Sequence, residues 1–244
     1  MDIKTVSVGN KKLFAFGDIH GCFTELNILI QYLEQNKIIA PDDMVVFLGD
    51  YIDRGANSFA VVDLLIDFKY KYPQTYFLKG NHESMFLNFL GFDARKESVF
   101  LYNGGLETIL SYDIQVGALP ETAVHKIPPL HFKFYTELID ILETEEFIFV
   151  HGGLDIKRKL SEQVERDTLW IRDEFITKPH EFGKTIIFGH TPFKEIYLDL
   201  PYKIGLDTGL VYGNKLTCLE MTEFKYYETA LAEQEVVAGK IEKL

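Results

Sequence analysis

Five short glycine-flanked polar clusters, each directly following an apolar run, constrain this 244-residue chain more than any other feature. They are Gly17-Asp18-Ile19-His20-Gly21, Gly49-Asp50-Tyr51-Ile52-Asp53-Arg54-Gly55, Gly80-Asn81-His82-Glu83, His151-Gly152-Gly153 and Gly189-His190-Thr191. The preceding runs at 13–16, 44–48, 75–78, 147–150 and 185–188 are short, continuous and rich in aromatic or β-branched residues. They predict strands buried on both faces. Leu26, Leu29, Ile30 and Leu33 follow helical spacing, as do Val61, Leu64, Leu65 and Phe68, and later Tyr135, Leu138, Ile139 and Leu142. These predict helices covering a sheet. Strand-helix alternation implies an α/β fold with a largely parallel sheet, whose ligand sites lie just beyond the carboxyl ends of the strands. Clusters far apart in sequence then converge on one rim.

The residue types in the clusters point to divalent metals and phosphoester chemistry. Asp18 and His20, two residues apart, leave the same side of an extended turn toward one cation. Taken alone, an incidental histidine on a strand-ending turn explains them equally well. Asp50 ends a buried run and has two carboxylate oxygens with which to bridge two cations, and Arg54 offers planar donors matched to phosphate oxygens. An Asp53-Arg54 pair stabilising a turn is the simpler reading, but it leaves Asp50 unexplained. Asn81 supplies a hard amide oxygen, with a helix cap as the competing role, and His82 is suited to move a proton, oriented by Asp53. Glu83 is expected to support the first turn of the following helix. His151 and His190 end two further runs and complete a second ligand set. Four of the seven histidines fall in these clusters, so chance placement explains the set poorly. His125, His131 and His180 have no comparable setting and are expected to serve packing or the surface.

Composition narrows the partners. Hydrophobic residues at 47% and charged residues at 25% describe an ordinary globular chain, and we expect residues 1–244 to form one domain. A net charge of −12 argues against a generic nucleic-acid binder, which needs many clustered cations. The only two cysteines, Cys22 and Cys218, build no disulfide framework, and Cys22 is expected to be a small packed residue. No leader or membrane-length apolar run is evident, so no membrane partner and a reducing cytoplasm are expected. The Lys157-Arg158-Lys159 run is expected to be a solvated face.

Further along, residues 91–130 lack a clear period and contain Asn103-Gly104-Gly105, which predicts an excursion near the active face. Shorter segments at 203–206, 215–221 and 224–228 follow, and the pair of runs around Gly213-Asn214 suggests a hairpin. The polar tail after Tyr227 gives no clear signal of order.

From Leu13 to Leu219 the motif order resembles the phosphoprotein phosphatases of the calcineurin-like metallophosphoesterase superfamily, especially the bacterial and phage serine/threonine phosphatases. The resemblance implies an α/β sandwich of two mixed β-sheets flanked by helices. It implies two divalent cations, Mn²⁺ foremost with Fe or Zn as alternatives. Asp18, His20 and Asp50 would hold one, and Asp50, Asn81, His151 and His190 the other. His82 becomes the general acid and Asp53 its partner. Arg54, Asn81 and Arg172, the last in Leu169-Trp170-Ile171-Arg172, become phosphoryl contacts, and Asp207 a supporting residue near the metals. The implied activity is hydrolysis of phosphomonoesters, foremost phosphoserine and phosphothreonine in proteins or peptides, by a metal-activated hydroxide attacking in line. A symmetrical dinucleoside tetraphosphate hydrolase shares several motifs. That group has Asp after Asn-His and lacks the Asp before the second-motif Arg, where this chain has Glu83 and Asp53. A non-catalytic phosphate-binding module is the remaining alternative, which the intact ligand set and His82 oppose. Lys79 stands where Arg is common before Gly-Asn-His-Glu, and the eukaryotic Ser-Ala-Pro-Asn-Tyr segment is missing.

Overall fold

The computed structural model describes residues 1–92 and 98–242. Its centre is a pair of six-stranded mixed sheets. One runs in the order β12 (Val236–Lys240), β11 (Lys225–Ala230), β10 (Lys215–Glu220), β2 (Leu13–Phe16), β3 (Met44–Phe47) and β4 (Thr75–Phe77). The other runs β1 (Ile3–Thr5), β5 (Ile141–Glu143), β6 (Phe147–Val150), β7 (Thr185–Phe188), β9 (Lys203–Gly205) and β8 (Tyr197–Asp199). Each sheet contains a parallel trio, β2-β3-β4 in one and β6-β7-β9 in the other. The expected parallel arrangement therefore holds for the strands that carry the clusters, while antiparallel strands extend both sheets.

Alternation along the strands builds the layers, because successive side chains leave opposite faces. Phe14, Phe16, Val45 and Phe47 pack with Leu26, Leu29 and Leu33 of helix α1 (Phe23–Gln35) and Val61 and Leu65 of α2 (Ser58–Lys71). The intervening Leu13, Ala15, Met44 and Val46 meet Leu142, Phe149, Ile187 and Ile204 of the other sheet. Ile148, Val150, Ile186 and Phe188 cover the outer face with Phe175 and Ile176. Continuous apolar runs are thus buried on both sides, and only their carboxyl ends meet the rim.

Three expectations change. The spacing of Tyr135, Leu138, Ile139 and Leu142 predicts a helix, but the helix Pro129–Thr136 stops and the chain enters β5. Ile141 to Glu143 pair in parallel with the remote Ile3 to Thr5 and antiparallel with the neighbouring Ile148 to Val150, so ladder bonds override the local period. The hairpin forms between β10 and β11, not around Gly213-Asn214. There the chain crosses between sheets through the 3₁₀ turn Leu210–Tyr212. The excursion is largely helical, with Leu106–Ser111 and Pro129–Thr136 as its longer helices, and residues 93–97 within it lie outside the described residues. The tail beyond Tyr227 completes β11 and adds β12 as an edge strand.

Candidate metal centre

The clusters meet where the two parallel trios end. Asp18 and His20 follow β2, Asp50 follows β3, and Asn81 and His82 open helix α3 (Asn81–Phe89) after β4. From the second sheet, His151 follows β6, His190 follows β7 and Asp207 follows β9. The first two turns are tied together, since the Ile19 and His20 N–H groups both donate to Asp50 O at 3.1 and 2.8 Å. His20, Asp50, Asp53, Arg54 and His190 all adopt left-handed backbone, with φ of 49°, 52°, 72°, 70° and 65°. Each such residue costs about 1–2 kcal/mol, and His and Asp tolerate the region better than most side chains. Strain concentrated on these five residues, with burial around them to hold it, marks the rim as a functional site.

Two groups of candidate ligands emerge, each with ligand atoms within 4.8 Å of one another: His20, Asp50 and His82, and Asp50, His151 and His190. Asp50 belongs to both. At the first, His20 Nδ1 donates to Ile52 O at 2.9 Å, which fixes the tautomer and turns the Nε2 lone pair toward Asp50 Oδ2 at 3.5 Å. Arg54 Nη1 donates into that lone pair at 2.6 Å, so a cation on His20 would release the guanidinium. Asp18 stands beside this group. Its Oδ2 accepts the His190 N–H at 2.9 Å, and its buried Oδ1 has no hydrogen-bond partner among the described residues. Burial, with Asp207 and Asp50 nearby, pushes the Asp18 carboxyl well above its ordinary range.

The second group gives the sharper test of metal fit. His151 Nδ1 donates to Leu48 O at 2.8 Å, leaving the Nε2 lone pair 3.0 Å from Asn81 Oδ1 and 3.3 Å from Asp50 Oδ1. Three acceptors that close repel unless positive charge lies among them. Burial opposes a proton on His151, yet Asp50 raises the imidazole above its usual value. His190 Nδ1 also lies 2.9 Å from Asn81 Oδ1. Donor separations near 3 Å match neighbouring ligands on a cation bound at ~2.0–2.2 Å. The residues fit divalent metal.

His82 and Asp53 form the expected pair, Nδ1 to Oδ2 at 2.6 Å. Burial pushes the Asp53 carboxyl up and holds the His82 imidazole down at about 4. Asp53 Oδ1 accepts from Thr108 Oγ1 at 2.6 Å, and its N–H donates to Ser58 and Thr108. The sequence gives no sign of Thr108, which the excursion delivers together with the Gly104 carbonyl that accepts the Arg54 N–H at 2.9 Å. Glu83 does more than support its helix. Its carboxylate accepts the N–H of Gly80, Asp50, Tyr51 and Ile52, clamping the Asp50 turn from below, while burial pushes its pKa up to about 8.

The remaining candidates sort by position. Arg172 is exposed, and its charge acts on His190 and Tyr212. Asp207 accepts the Gly209 N–H and acts on Asp18, and burial pushes it up to about 6. Lys79 pairs with Asp140 at 2.8 Å and Glu165 at 3.8 Å, so its charge is committed to those carboxylates. Arg158 likewise pairs with Asp155 and Asp167. His131 and His180 hydrogen-bond to Tyr112 and Tyr202 within the fold, and His125 is exposed. Cys22 is buried, its thiol pushed up to about 12 by that burial.

Gly189 is required by proximity: a Cβ there would lie 2.2 Å from Asp18 Oδ1. Gly189→Ala is expected to destabilise the fold by about 1–3 kcal/mol and to weaken metal binding by displacing Asp18. Denaturant unfolding and metal titration check this, and unchanged values in both would show that the carboxylate yields freely.

Comparison with known proteins agrees with the geometry. The profile described as calcineurin-like phosphoesterase matches residues 11–224. Bis(5′-nucleosyl)-tetraphosphatase PrpE [asymmetrical] of Bacillus cereus (strain Q1) is 28% identical over 232 residues, covering 86% of this chain and 90% of the relative. The protein of the same name from Anoxybacillus flavithermus (strain DSM 21510 / WK1) is 29% identical with the same coverage. Among solved structures, a cold-active protein tyrosine phosphatase superposes with a TM-score of 0.62 at 17% identity, covering 98% of this chain and 80% of its own. A protein serine/threonine phosphatase from Saccharomyces cerevisiae gives 0.57 at 13%, covering 99% and 84%. These likenesses establish the shared fold. With the profile spanning residues 11–224 and candidate metal ligands gathered at the strand ends, the protein belongs to the calcineurin-like phosphoesterase family.

Proposed function

We propose that this chain hydrolyses dinucleoside polyphosphates, cleaving diadenosine tetraphosphate asymmetrically into AMP and ATP. The reading is carried by the named tetraphosphatases that share 28–29% identity along most of both chains. The site supplies the chemistry. His20, Asp50, His151 and His190, with Asp18 and Asn81 beside them, would hold divalent cations, which when bound acidify a water and neutralise charge on the phosphoryl oxygens. Arg54 and Arg172 hold the phosphoryl group and offset its charge. Water adds to the α-phosphorus, the bond from that phosphorus to the oxygen bridging toward the β-phosphorus breaks, and ATP departs. Asp53 keeps His82 Nδ1 engaged, so that Nε2 is the atom that delivers a proton to the departing oxygen.

The Asp53-His82 pair and Glu83 also support the reading taken from the motifs alone, hydrolysis of phosphoserine or phosphothreonine peptides. The two are separated by kcat/KM on both substrate types and by chromatography of the nucleotide products. We expect at least ~10-fold preference for diadenosine tetraphosphate, a difference of about 1.4 kcal/mol in transition-state binding, with AMP and ATP in equal amounts. ADP as the sole product would establish symmetrical cleavage instead. Faster turnover of the phosphopeptides would select the protein phosphatase reading, and no metal-dependent turnover of either would leave a binding module.

A further inference from the structure

Tyr212 is a large ring left in the open beside Arg54, the arginine to which the proposed function gives the phosphoryl group. It closes the turn Leu210–Tyr212 between Gly209 and Gly213, which take φ of 72° and 93°. The turn is firmly held: Tyr212 N–H donates to Gly209 O and Gly213 N–H to Leu210 O, both at 3.0 Å. Asn214 Nδ2 reaches Thr208 O at 2.6 Å and Lys194 O at 2.9 Å, and Leu210 fills the core beneath. Packing is thus supplied by Leu210, while Tyr212 stays 60% exposed and its hydroxyl makes no hydrogen bond among the described residues. Neither the core nor an internal polar network uses this side chain.

Its surroundings point outward to a ligand. The Arg54 guanidinium carbon lies 5.3 Å from the ring centroid, a cation–π distance. The charges of Arg54, Asp207, Asp50 and Arg172 all act on the phenol, so the ring shares the field of the metal centre and of both arginines. In a nucleoside 5′-phosphate only the ribose separates the base from the phosphorus. A phosphate held by Arg54 therefore brings its base within reach of a ring beside that same guanidinium.

We propose that Tyr212 is a base-stacking platform, which binds the nucleobase of a nucleoside 5′-phosphate and thereby sets the α-phosphorus, rather than one further along the chain, at the metal centre. The inference rests on the dinucleoside polyphosphate reading and adds a cause for the asymmetry: with the base on Tyr212, cleavage beyond the α-phosphorus retains AMP and releases ATP. Stacking on an aromatic side chain is sequence-tolerant, so purines of either kind should be accepted.

The test compares AMP with ribose 5-phosphate, which share sugar and phosphate and differ only in the base. Calorimetric titration of the metal-loaded full chain should show AMP binding ~5- to 150-fold tighter, the range for one stacked base. Tyr212→Phe should keep that ratio, and Tyr212→Leu should bring it within about two-fold of unity. The ratio cancels any loss common to both ligands, including one from a displaced Arg54. A wild-type ratio near one, or a ratio unchanged in Tyr212→Leu, overturns the platform. Diadenosine tetraphosphate cleavage measured in parallel keeps the two readings apart: intact asymmetric turnover with an unaffected ratio sinks Tyr212 alone, whereas base-selective AMP binding without turnover of the tetraphosphate sinks only the substrate.

Discussion

Asp50→Asn is expected to be the most damaging single ligand change, with activity falling beyond the ~10²- to 10³-fold loss that removal of one transition-state stabilising group produces. Asp50 is the residue common to both groups of candidate ligands. Its Oδ2 faces His20 Nε2 at 3.5 Å and its Oδ1 faces His151 Nε2 at 3.3 Å, while Oδ1 also accepts the His82 N–H at 3.1 Å. The amide preserves the shape but replaces one oxygen with a donor and removes the charge on which both sides depend. His20→Asn, which touches one group only, should lose less. Metal analysis after gel filtration gives the direct measurement: Asp50→Asn should carry far less divalent ion per chain than wild type or His20→Asn. Wild-type metal content and turnover in Asp50→Asn would rule out a shared carboxylate.

The candidate ligands are legible because their logic is local. An apolar strand ending in glycine and an Asp or His carries its meaning within six or seven residues, and Asp18, His20, Asp50, Asn81, His151 and His190 all emerge at strand ends. What joins them is less visible. The left-handed turn at Asp50 is held by Glu83, some thirty residues later, through bonds to the Asp50, Tyr51 and Ile52 N–H groups that no side-chain pattern reveals. Thr108 reaches Asp53 from the segment with the least periodic sequence. Likewise Tyr135 to Leu142 has a helical period and becomes partly strand, because one of the two strands that pair with it, Ile3 to Thr5, lies far away near the N-terminus. Substrate choice is harder still to read, since Arg172 and Tyr212, to which we assign it, are exposed rim residues where burial imposes no pattern.

His82→Asn is expected to lower kcat by about 100- to 10,000-fold on esters with poor leaving groups while metal content stays near wild type. The side-chain amide can still donate to Asp53, the partner that His82 Nδ1 holds at 2.6 Å, but it has no proton to deliver. The loss should shrink for aryl phosphates, and for a tetraphosphate that releases ATP, because those leaving oxygens carry developing charge with little help. His82 Nε2 also lies 3.9 Å from Asp50 Oδ2, close enough to make His82 a rival ligand for the cation at His20. Metal content separates the roles. A ligand would take its ion with it and slow every substrate alike, whereas a proton donor leaves the ion in place and makes the penalty follow leaving-group basicity. Equal losses on alkyl and aryl phosphates, or a drop in bound metal, would count against His82 as the acid and return it to the coordination sphere.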